Sequence, residues 1–377
     1  MHVALVEPSY YTRYPPLGLL KLSAYHKLRG DTVELLKGTR KPAKQPGRVY
    51  VTSLFTYAWK PVHESVKFFK SVFPSAPLTL GGIYASLLPD HARLSGADKV
   101  HVGLFTDAEE LLPDYSLVPR WKRSILFSSR GCVRKCGFCA VPELEGELNS
   151  VKLTIKHLIY PGHTGVVLWD NNILGSPNWI HVFRELHELG LNVDFNQGLD
   201  ARLITQDIAE KIRALRVRMV RLAYDYVENE PFLERAIRLL NKAGIRGRDI
   251  LVYTLYNYTD SPEDFFQRVR SLLNWGVVSY PMRFEPATSL EKNQHVGPSW
   301  SREDLEMVVD AQRVIGNMGA FPPHEGLRTK FSEAVSFHEA FELRPQKKRK
   351  PRCEDDSLNP VRQEEPVIVA AATPSIP

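Results

Sequence analysis

The sequence predicts an α/β fold in two parts: an N-terminal doubly wound parallel sheet, then a partial (β/α)6 barrel of the TIM type. Three observations predict it. Short apolar runs alternate with segments of helical period along most of the 377 residues. Five strand candidates precede residue 105 and six follow residue 124, with a proline-containing stretch between them. Hydrophobic residues make up 43% and charged residues 24%, enough apolar surface to bury a core in each part.

The elements follow in order. His2–Val6 is a short apolar strand. Pro16–Arg29 repeats Leu17, Leu19, Leu20, Leu22, Tyr25 and Leu28 at helical spacing, and Gly30 stands where a C-terminal cap belongs. Thr32–Leu36 and Val49–Phe55 are strands, Pro61–Phe73 a helix, and Leu78–Leu80 a strand running into Gly81-Gly82. A helix over Tyr84–Leu94 and a strand at Lys99–Val102 complete a unit spanning 1–105. Ligands of such sheets lie beyond the C-terminal strand ends, here near Glu7-Pro8-Ser9, Ser53–Tyr57 and Gly81–Tyr84. A small α/β unit with no ligand of its own fits the pattern equally.

Residues 106–123 read as a linker containing Pro113 and Pro119. In the second unit, 124–290, the predicted strands are Ser124–Ser129, Gly165–Asp170, Asn192–Gln197, Met219–Asp225, Ile250–Tyr256 and Ser279–Glu285. Helical patterns lie at Thr154–Tyr160, Asn178–Leu189, Gln206–Leu215, Pro231–Ala243 and Pro262–Trp275. The last carries one apolar stripe of Phe265, Phe266, Val269, Leu272 and Leu273, expected to pack on the barrel. Six such units suit a partial barrel better than an eightfold one. Residues 291–344 form a helical extension including Ser301–Met318, and 345–377 a polar, proline-rich tail expected to be disordered. In that tail the basic run Lys347–Lys350 is nearly balanced by Glu354-Asp355-Asp356, so a nucleic-acid partner is permitted but not indicated.

No apolar run approaches the length that spans a bilayer, and MHVALVEPSYY does not read as a signal peptide. Three of the four cysteines fall within eight residues. That usage points to a cytoplasmic protein with a metal or redox site rather than a disulfide scaffold. The segment is Ser128-Ser129-Arg130-Gly131-Cys132-Val133-Arg134-Lys135-Cys136-Gly137-Phe138-Cys139, directly after the first strand of the second unit. Thiolates select zinc or iron–sulfur clusters, and a closed zinc site normally needs a fourth ligand that no nearby Cys or His supplies.

Cys-x-x-x-Cys-x-x-Cys with an aromatic residue before the last cysteine, after the first barrel strand, resembles the radical S-adenosylmethionine superfamily. The resemblance implies a 4Fe-4S cluster held by Cys132, Cys136 and Cys139, and S-adenosylmethionine on its open iron. It further implies reductive cleavage to a 5′-deoxyadenosyl radical that acts on an unknown substrate, and an external one-electron reductant of flavodoxin or ferredoxin type. Matched strand by strand, it places Phe138 beside the adenine and Asp170 or Asn171 on the methionyl amine. Arg202 would then meet the methionyl carboxylate, with Gln197, Asp200, Tyr224 and Glu285 on the same rim. Simpler readings stay open: a turn at Asn171-Asn172, and an Asp200–Arg202 surface ion pair.

Pro15-Pro16-Leu17-Gly18-Leu19-Leu20 before a helix, with Leu80-Gly81-Gly82 near the fourth strand, makes the front unit similar to the cobalamin-binding-like, Rossmann-like domain of many radical enzymes. The Asp-x-His-x-x-Gly cobalt-ligand motif is absent. Within that family two branches are implied, a cobalamin-dependent methyltransferase and a methylthiotransferase-like enzyme modifying RNA or protein. The absence of cysteine from Met1–Gly131 disfavours the second. The alternative from another class is a non-catalytic zinc or nucleic-acid-binding protein.

Overall fold

A computed structural model describes residues 1–343. The tail expected at 345–377, with Lys347–Lys350, lies outside the described residues. The front part runs β1 (His2–Glu7), α1 (Leu17–Leu28), β2 (Thr32–Lys37), β3 (Arg48–Ser53), α2 (Trp59–Val72), β4 (Leu78–Gly82), α3 (Ile83–Leu87), α4 (Pro89–Arg93) and β5 (Lys99–Val100). All five strands are parallel in the order β2-β1-β3-β4-β5. Val3 to Val6 are all buried, as a strand covered on both faces requires.

The two faces differ. Ala4, Val6, Val49, Val51, Leu78 and Leu80 pack with Val62, Val66 and Phe69 of α2 and Tyr84 of α3. Opposite, Val3, Leu5 and Tyr50 pack with Leu19 of α1, and the same face continues as Thr79 beside Tyr50 and Lys99 beside Thr79. Gly30 has φ +79° just past α1, where the sequence called for a cap. At Gly82 (φ +104°) a Cβ would stand 2.2 Å from the Ser53 carbonyl oxygen, so only glycine lets β4 turn into α3 there.

The second part runs β6 (Arg123–Leu126), α5 (Val141–Leu144), β7 (Gly165–Leu168), α6 (Trp179–Leu189), β8 (Asn192–Phe195), α7 (Gln206–Ala214), β9 (Arg216–Val217), β10 (Val220–Ala223), α8 (Glu230–Lys242), β11 (Ile250–Tyr256), α9 (Pro262–Asn274) and β12 (Val278–Arg283). Each of the six predicted strand regions contains a strand. They form two parallel sheets, β6-β7-β8-β9 and β10-β11-β12. A single barrel wall is therefore not what these ladders make. At the seam the Leu199 N–H donates to the Arg221 carbonyl at 2.8 Å. The Arg221 side chain, meanwhile, bonds Asp194 and reaches the Phe195 carbonyl. One backbone bond and the Arg221 side-chain bonds thus stand where a longer strand ladder would run.

The helices have local reasons. Thr205 caps α7 by accepting from the Ile208 N–H, and Ser261 with Asp264 forms a reciprocal capping box at α9. The α9 stripe is wholly buried, but only Leu272 joins the main core. Phe265, Phe266, Val269 and Leu273 pack instead against the C-terminal helices α10 (Arg302–Val314), α11 (Glu325–Glu333) and α12 (Phe337–Phe341), through Phe331, Phe337 and Phe341. The extension is thus part of the core rather than an appendage. Among the described residues no helix is long and apolar enough to cross a membrane.

Candidate functional site

The loop after β6 carries the three cysteines, and Asp170, just beyond β7, holds that loop in place. Its carboxylate accepts from the backbone N–H of Ser128 (3.0 Å) and Ser129 (2.7 Å) and from both serine hydroxyls. Burial raises this carboxyl, and the serine bonds work against that rise. Gly131 (φ +69°) passes so close to Glu147 that a Cβ would lie 2.1 Å from its carbonyl oxygen. Arg130, buried, pairs with Glu109 and Glu145 and lies over the Phe127 ring.

Beyond this loop the strand ends enclose a cavity of about 310 Å³. Cys132, Cys136, Cys139 and Phe138 form one wall, Asn171, Asn172, Gln197, Asp200 and Arg202 another, and Asp225, Arg283 and Glu285 a third. Asp200 accepts from Arg202 (2.7 Å), Arg134 (2.9 Å) and Asn172 (3.1 Å). Against a desolvation that would raise it, the bonds from Arg202 and Arg134 hold its carboxyl below the ordinary range. Burial pushes Asp225 up to about 6, with the charges of Arg268 and Arg202 only partly offsetting. Both Glu285 oxygens are buried, and Arg283 Nε lies 3.6 Å from one of them as an ion-pair partner. Burial raises that carboxyl too, against the Arg283 charge and the nearby backbone N–H groups of His295 and Asn293.

Of the residues singled out in the sequence, Phe138, Asn171, Gln197, Asp200, Arg202 and Glu285 share this cavity. Phe138 packs against Tyr226 and Tyr258, and Arg202 is paired with Asp200, the simpler of its two readings. Asp170 and Tyr224 serve elsewhere. Asp170 anchors the loop, and Tyr224, fully buried, donates to Glu230 and stacks on Trp275. Arg134 is not singled out in the sequence; Asn172 reads there only as part of a turn, and Asp225 and Arg283 only as neighbours of Tyr224 and Glu285 at their strand ends. Asp225 lines the cavity, while Tyr224 beside it is buried away from it.

The metal-centre expectation is corrected. Among the described residues no group of three or more His, Cys, Asp or Glu side chains is arranged to hold a metal ion. Cys132 Sγ accepts the Arg134 N–H at 3.3 Å. Burial pushes the Cys136 and Cys139 thiols up, with the Asp225 charge adding to the rise. As placed, the three thiols are not grouped to hold a 4Fe-4S cluster. S-adenosylmethionine chelated to one, the radical and methyl-transfer enzyme readings, the cobalamin partner cofactor and the zinc alternative are not carried by this arrangement.

The comparisons lend the superfamily no support either. No family model matches the chain, and no curated protein does. Among solved structures it is similar to the periplasmic binding protein component of the arabinose ABC transporter from Shewanella sp. ANA-3, at 11% identity over 76% of this chain and 82% of that one. A galactofuranose binding protein matches at 11% identity over 84% and 90%. Both are binding proteins rather than radical enzymes, with a TM-score of 0.18 each. At that value the folds do not superpose, and what those proteins bind carries no argument for this one. The chain stands as an α/β protein of parallel sheets with a cavity at the strand ends, lined by apolar and charged side chains.

Proposed function

We propose that this protein binds a small, net-neutral molecule rich in hydrogen-bond donors, such as a polyol or a zwitterion, in the cavity at the strand ends of the second part. The charge-balanced lining carries the reading, with Glu285 held beside Arg283 at 3.6 Å in that wall. Charge balance supports neutrality: Arg134, Arg202 and Arg283 face Asp200, Asp225 and Glu285 across the same cavity. Phe138 and Phe284 add apolar walls against which a ring face can lie. We read the two sheets as parts of one curved, partial (β/α)6 wall around this site. Free thiols suit a cytoplasmic setting.

Calorimetric titration of the intact chain with a monosaccharide set, an amino-acid set, citrate and spermidine tests the reading. Binding within the neutral sets, weakened about tenfold or more by Glu285→Gln, is expected. Binding of citrate or spermidine alone, or neutral-ligand binding indifferent to that substitution, overturns it.

A further inference from the structure

A separate cleft of about 680 Å³ runs along the front sheet under α1, on the face that α2 to α4 do not cover. Its floor is a cross-strand row, Tyr50 beside Thr79 beside Lys99. The same strands are uniformly apolar on their other face, at Val49, Val51, Leu78 and Leu80. The polarity is therefore confined to the cleft side. One wall is aromatic: Tyr25 lies edge-on to Phe105 at 5.2 Å between ring centres.

Charge is distributed unevenly here. The acidic groups near the cleft are mostly engaged: Asp31 with the N-terminal ammonium and His26, Glu109 with Lys21 and Arg130. Asp107 is the remaining carboxylate of the lining. Arg29, Arg48 and Lys99, by contrast, pair with no carboxylate among the described residues. Arg29 instead lies over the Tyr25 ring at 5.4 Å, and Arg48 reaches the Tyr50 hydroxyl at 3.4 Å. Arg48 opens β3 and Lys99 opens β5, so both cations stand at the N-terminal strand ends, and the cleft runs from there along the sheet to Gly82.

We infer that this cleft is a second binding site, taking a nucleoside phosphate with its phosphates on Arg48, Lys99 and Arg29 and its ring against Tyr25 and Phe105. Three cations without a carboxylate partner beside a half-buried aromatic wall complement an anion that carries a flat ring, and a cleft of this volume lies in the range of small-molecule sites. The site is independent of the cavity around Glu285.

The test is calorimetric titration of the intact chain with adenosine 5′-diphosphate, adenosine and pyrophosphate at two salt concentrations. The diphosphate is expected to bind tighter than either fragment and to weaken with salt. Exposed Arg48→Gln with Lys99→Gln is expected to weaken it about tenfold or more, and Tyr25→Ala severalfold. Glu285→Gln is expected to leave it unchanged. No diphosphate binding, binding equal to pyrophosphate, or binding insensitive to the Arg48 and Lys99 changes overturns the inference. So does a loss on Glu285→Gln, which would place the diphosphate in the other cavity.

Discussion

Asp170→Ala removes the acceptor that ties the cysteine loop to β7. Four donors meet that carboxylate. The two serine hydroxyls can rotate to other acceptors, but the backbone N–H groups of Ser128 and Ser129 cannot, and both residues are buried. Each stranded N–H costs about 1–3 kcal/mol, so the substitution should lower unfolding free energy by about 4 kcal/mol, less whatever water enters. Asp170→Asn keeps one oxygen where both N–H groups can find it and should lose about half as much. Urea unfolding followed by the fluorescence of the adjacent Trp169 measures both variants. A loss below about 1 kcal/mol for the alanine variant, or an asparagine variant as damaged as it, refutes the anchoring argument.

Three further outcomes are expected. Asp225, pushed up to about 6 by burial, favours its protonated form in the fold, so its contribution is complete below the unfolded value and is lost as pH rises through 6. Asp225→Asn should therefore gain up to about 3 kcal/mol over the parent above pH 6 and match it near pH 4, as read from denaturation across pH. In the front part, Tyr84 bridges His63 (2.8 Å) and His91 (2.6 Å). Burial lowers His63 to about 4, so its contribution is lost as pH falls from 6.5 toward 4. Tyr84→Phe should cost about 1–3 kcal/mol at neutral pH, seen as a lowered melting temperature. Gly131→Ala drives a Cβ into the Glu147 carbonyl and adds left-handed strain, so at least 2 kcal/mol should be lost and thiol reagents should reach Cys132 faster.

Much of the architecture was legible because burial on both faces writes itself as continuous apolar runs, as in Val3–Val6, and because Gly30 and Ser261 mark helix ends chemically. The seam between the sheets was not. Arg221 reads as an ordinary strand residue, and only its bonds to Asp194 and Phe195 show that its side chain joins the two sheets beside a single backbone bond. At the site, the rim residues Asn171, Gln197, Asp200, Arg202 and Glu285 were legible from their position at strand ends. Which of the neighbours Tyr224 and Asp225 faces the cavity depends on how the strand end turns, which the sequence alone does not show. The cysteine spacing was plain in the sequence. Whether three thiols form a ligand set depends on backbone placement, which spacing does not encode.

The seam bears on how the chain folds. Every strand pair on either side of it joins near neighbours in sequence, Arg123 with Gly165, Gly165 with Asn192, Val220 with Ile250 and Leu251 with Val278. Each sheet can thus close its own short loops before the other exists, which keeps the entropic cost of each step low. Side chains at Arg221 and Asp194 then join two formed pieces, a late step that mutation at either residue should slow without disturbing the sheets themselves.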